Sequence, residues 1–140
     1  MDTSLWAKAH GATTHFPIAL ALVSAVCDGA GLIAGGRPVA RELQAAGRWT
    51  MVAGALGSVG AVASGLLLTK GSVLGHDTLR MHHLFVWPAF TLLVALATWR
   101  LAAGRAPTRR ALAAYLTVTV VMAGLVAAAG YYGGETIVAA

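Results

Sequence analysis

The chain has 140 residues, of which 58% are hydrophobic and only 11% charged, against roughly a quarter charged in an ordinary soluble domain. Its mean hydropathy is +0.74. These values exclude a disordered chain, which needs low hydrophobicity and high charge, and point to one small integral membrane domain over residues 1–140. The one cysteine excludes an internal disulfide and a Cys-rich zinc or iron–sulfur site. Five acidic residues are too few for a carboxylate-rich di-metal centre.

A membrane helix needs about 20 mostly apolar residues to cross ~30 Å of hydrocarbon. Four stretches qualify: His15 to Ala34, Trp49 to Thr69, Met81 to Leu101 and Ala111 to Tyr132. Gly35-Gly36-Arg37-Pro38, Lys70-Gly71-Ser72 and Gly104-Arg105-Ala106-Pro107 punctuate them as loops. The expected fold is all-α, an up-down bundle of four transmembrane helices. The first span does not read as a signal peptide, because no basic segment precedes it and Asp28 interrupts it. Pro17 falls in its first turn, where a missing N–H costs nothing. Pro88 should bend the third span.

Charge sets the expected orientation. Arg37, Arg41, Arg48, Arg100, Arg105, Arg109 and Arg110 follow spans one and three, while the opposite ends hold Lys8, Lys70 and Arg80 with Asp2, Asp77 and Glu135. The positive-inside rule then places both termini on the periplasmic side of a bacterial inner membrane. Trp49 and Trp99 at one interface and Tyr131 and Tyr132 at the other fit aromatic belts. The arginines flank helices as membrane anchors do, so the net charge of +5 implies a lipid surface and no nucleic acid.

All five histidines fall at one end. His15 opens span one, His82 and His83 open span three, and His10 and His76 are placed further out, in loops. Spans one and three run parallel, so His15 and the His82-His83 pair share a depth. Two imidazoles facing each other in a bundle can ligate the iron of a b-type haem. His82 and His83 lie about 100° apart on a helix, so only one points fully inward. His83 shares a stripe with Trp87 and Phe90, and His82 with Phe85 and Ala89. Gly57 and Gly60, with Gly54 and Gly65, would make room for the macrocycle. The residues alone leave three readings open: haem, a copper or zinc ion held by three or four of the histidines, and no cofactor, with the glycines serving helix contacts. Asp28 is the one acid inside a span. It reads as a proton-route residue or as a packing residue bonded to Arg48, Thr50 or Tyr115.

His15-Phe16-Pro17-Ile18-Ala19-Leu20, with Asp28 late in the same helix, a histidine opening span three, and Gly133-Gly134-Glu135 with Ile137-Val138, resembles the bacterial membrane family catalogued as domain of unknown function 2231. The resemblance covers essentially the whole chain. It implies four spans and, since some members are joined to or lie beside c-type cytochromes, respiratory electron transfer. The chain departs from the family after Gly-Gly, with Thr136-Ile137-Val138 where members continue with Val-Tyr and His-Gly.

The expectation is a membrane b-type cytochrome subunit with one haem b near the periplasmic face. His15 and His83 or His82 would ligate the iron. Electrons would pass between a quinone and a periplasmic redox partner, such as a c-type cytochrome or a molybdenum or copper enzyme. The alternative is a cofactor-free anchor or assembly subunit of a larger respiratory or redox complex, which the Gly/Ala-rich spans two and four suit. A transporter has only Asp28 in its favour. An enzyme acting alone lacks a nucleophile with a positioned base. Small, Gly-rich spans suit packing into a hetero- or homo-oligomer.

Overall fold

The structure, a computed structural model, describes residues 3–105 and 107–138. It contains four helices, α1 Thr3–Ala34, α2 Pro38–Leu68, α3 Asp77–Ala102 and α4 Arg109–Val138. All four are long and apolar enough to cross a membrane. Asp2 and the side chains of Thr136, Ile137 and Val138 lie outside the described residues.

The helices extend beyond the apolar stretches. α1 begins a dozen residues before His15, because Ala-rich sequence around Trp6 propagates the helix and packs it along the end of α2. Pro17 therefore lies inside α1 rather than in its first turn. α3 runs unbroken through Pro88. Gly35 (φ +63°) and Gly104 (φ +70°) close α1 and α3 in the left-handed conformation that a side chain disfavours. Proline at the first turn then starts α2.

Helices consecutive in the chain pack side by side, and α4 returns to α1, so α1 and α3 lie diagonally across the bundle. The α1–α2 seam is built from small residues. α1 presents Pro17, Ala21, Ser24, Asp28 and Gly31, and α2 presents Gly47, Met51, Gly54, Ala55, Ser58, Ala61 and Ser64, all buried. Steps of three and four residues keep such a stripe on one face and favour the shallow left-handed crossing of membrane bundles. A side chain at Gly54 would come within 3.2 Å of the Pro17 carbonyl oxygen, so glycine sets this approach. α3 and α4 supply the bulk, with Leu93, Leu96, Leu112, Tyr115 and Met122 meeting Met51 at the centre. Large residues such as Phe16, Val26, Ile33, Leu56 and Val120 face outward. In lipid that exposure costs nothing, and cohesion comes from close packing and polar contacts between helices.

Candidate functional site

Two polar layers interrupt the apolar interior, one at each end. The first holds imidazoles. His10, expected in a loop, lies within α1 and turns toward α2. Its Nδ1 is 3.0 Å from the Ala61 carbonyl oxygen and 3.2 Å from Ser64 Oγ. Thr13 Oγ1 meets the same serine at 3.0 Å. The ring abuts Gly65, where a Cβ would stand 3.0 Å from its Cε1.

His82 repeats this seat on the other helix pair. Its Nδ1 is 2.7 Å from the Ala129 carbonyl oxygen of α4. A Cβ at Gly133 would stand 2.9 Å from that nitrogen. In both seats the accepting carbonyl lies four residues before the glycine that receives the ring. A carbonyl can only accept, so Nδ1 carries the proton and neutral Nε2 carries a lone pair.

The other expected site residues are placed differently. His15 is exposed on the outer face of α1, and His76 is exposed just before α3. His83 is 7% exposed, with its Nδ1 unpaired among the described residues. Its ring centre lies 6.3 Å from that of Trp87, tilted by 51°, and the Trp87 indole N–H donates to the Val73 carbonyl at 2.8 Å. Gly57 lies against the Pro17 ring, at 3.7 Å from Cδ for an added Cβ, and serves the α1–α2 seam. Gly60 is exposed with open space around it. Among the described residues, no group of three or more His, Cys, Asp or Glu is arranged to hold a metal ion. At the same end, Trp6, Ala63, Leu66, Leu67, Leu68, Lys70 and Gly71 line a cavity of about 610 Å³. None of the histidines lines it.

The second layer is an ion pair. Asp28 of α1 and Arg100 of α3 meet at 2.7 Å across the diagonal, both side chains fully buried. The same Nη2 of Arg100 donates to the Gln44 carbonyl at 2.6 Å, and the guanidinium sits 5.6 Å from the centre of the Tyr115 ring. Ser24 Oγ donates to the Gly47 carbonyl at 2.7 Å and lies 3.2 Å from the Tyr115 hydroxyl. A Cβ on Gly47 would stand 2.6 Å from the Asp28 carboxyl carbon, so glycine makes room for the carboxylate. Arg100 is therefore a core residue and not an interfacial anchor, and it, rather than Arg48 or Thr50, partners Asp28. Trp99, expected in the interfacial belt, is half-buried and stacks on Tyr115 at 5.2 Å.

No curated protein and no solved structure matches the chain. The family described as predicted membrane protein (DUF2231) matches over residues 8–139, which takes in both polar layers, most of α1 and all of α2, α3 and α4. The chain belongs to this DUF2231 family of membrane proteins.

Proposed function

We propose that the protein is a b-type haem electron-transfer subunit of the bacterial inner membrane, in which His10 and His82 would hold the haem iron. The observation that carries this reading is the matched pair of imidazole seats. Each ring has Nδ1 anchored to a carbonyl of the adjacent helix, Ala61 for His10 and Ala129 for His82. Anchoring of this kind fixes the tautomer and orientation of a ligating histidine and leaves Nε2 for the metal. Two histidines suffice, because porphyrin supplies the other four donors to iron. Bound haem would supply reversible one-electron chemistry. His15 leaves the ligand set in this reading, because it is exposed. His83 is kept as a neighbour that packs between His82 and Trp87.

The arginine-rich loops after α1 and α3 orient the imidazole end toward the periplasm. A quinone and a periplasmic c-type cytochrome or metalloenzyme are the electron partners that this position suits. The test is haem titration of the detergent-solubilised protein, read by the Soret band. His10→Ala and His82→Ala should each abolish low-spin binding, while His15→Ala retains it. Loss on His15→Ala with retention on His10→Ala would contradict the assignment. A wild-type protein that binds no haem would leave the cofactor-free anchor subunit.

A further inference from the structure

We propose that Asp28 is a proton-binding site reached by water from the arginine-rich end of the bundle only. It stands independently of the haem reading, which concerns the other end. Among the described residues, Asp28 Oδ2, Arg100 Nε and Arg100 Nη1 are buried without a hydrogen-bond partner, as is Arg48 Nε on α2. Buried polar atoms are nearly always satisfied, by protein or by ordered water.

A cavity of about 310 Å³ lies where such water can come from. Gly31, Leu32, Gly35, Gly36, Gln44, Pro107, Arg109 and Leu112 line it. Three of these stand one helical turn from the ion-pair layer. Gly31 follows Asp28 on α1, Gln44 precedes Gly47 on α2, and Leu112 precedes Tyr115 on α4, each by three residues. Residues three apart share a helix face. The cavity is therefore the axial continuation of the layer toward the loops. In the other direction Ala21, Met51, Leu93 and Met122 form an apolar core. Access is one-sided.

The step is a simple proton exchange. A hydronium ion in the cavity gives its proton to Asp28 Oδ2 and leaves water behind. The pair then changes from neutral to singly positive, because Arg100 stays charged. The Gln44 carbonyl and the Tyr115 ring hold the guanidinium in both states. The charged or titratable groups facing Asp28 are Arg100 from α3 and Tyr115 from α4. Arg48 adjoins from α2, its guanidinium over Trp49, and Arg109 lies at the cavity.

The sequence makes the test clean, since Asp2 and Asp77 are the only other aspartates. An Asp2→Asn/Asp77→Asn chain labelled with [4-¹³C]aspartate carries one labelled carboxyl, that of Asp28, and its core is intact. Infrared difference spectra of this protein in phosphatidylcholine–phosphatidylglycerol vesicles should show a labelled C=O stretch that grows in on acidification and shifts promptly in D₂O. Gly36→Trp should slow that deuterium shift severalfold. Gly36 lines the mouth, and nothing lies within 4 Å of a Cβ there, so the plug leaves the ion pair alone. A labelled carboxyl that never titrates, or a shift as fast in Gly36→Trp as in its parent, would overturn the proposal.

Discussion

Replacing Arg100 by Met removes the guanidinium and keeps most of the side-chain volume. In the native protein Arg100 and Asp28 meet at 2.7 Å with both side chains fully buried. The variant strands a carboxylate in the interior. Its remaining neighbours are Ser24, Tyr115 beside it and the space made by Gly47, and none carries positive charge. Removing one member of a buried pair typically costs ~3–5 kcal/mol, whereas replacing both members by apolar groups is often neutral or stabilising. The Gln44 carbonyl loses a second donor but sits within α2, where the helix already supplies one. Arg100→Met should therefore lower stability by about 3–5 kcal/mol, or the midpoint of thermal unfolding by about 9–15 °C. Asp28→Leu/Arg100→Met should recover most of that loss. The assay is thermal unfolding in mild detergent, followed by circular dichroism. A single variant within about 1 kcal/mol of wild type, or a double variant no better than the single, would refute the reasoning, because an exposed pair behaves that way.

Gly47→Ala should destabilise by about 1–3 kcal/mol, since its Cβ would overlap the Asp28 carboxylate; denaturant titration beside Gly60→Ala checks this, the latter gaining up to ~1 kcal/mol from helix propensity in open space. Gly133→Ala and Gly65→Ala push the His82 and His10 rings off their seats, and each should weaken haem binding by about 10–100-fold, read by Soret titration. Trp87→Phe loses the donor to Val73 at 2.8 Å, should cost ~1 kcal/mol, and should raise amide exchange across residues 72–76.

The four spans were legible because hydropathy and the lipid constraint act on whole segments. The residues that shape the interior were not. Arg100 sits near the end of α3, where arginine ordinarily anchors at the interface. Helical side chains lean toward the N-terminus, so this one reaches back into the bundle at the level of Asp28. The depth of the two residues on parallel spans carried that signal, and the familiar role of arginine masked it. The apolar run starts after His10, so hydropathy alone leaves His10 outside the first span. Its signal was periodic: Gly31, Ser24, Pro17 and His10 recur at seven-residue steps along the buried face of α1. Extending that stripe past the apolar boundary finds it. His15 lies off the stripe, and this is why the helix turns it outward. Gly65 belongs to the small-residue pattern of span two and Gly133 to the Gly-Gly pair of the family resemblance, but neither pattern names the imidazole it receives, because what each accommodates is a ring from another helix.

The most direct test of the central claim is the visible spectrum of wild-type protein purified in detergent from haem-replete cells, air-oxidised and then reduced with dithionite. The account predicts a Soret band and, on reduction, the sharp α and β bands of a low-spin, bis-histidine haem. A featureless spectrum with no haem on extraction would contradict it.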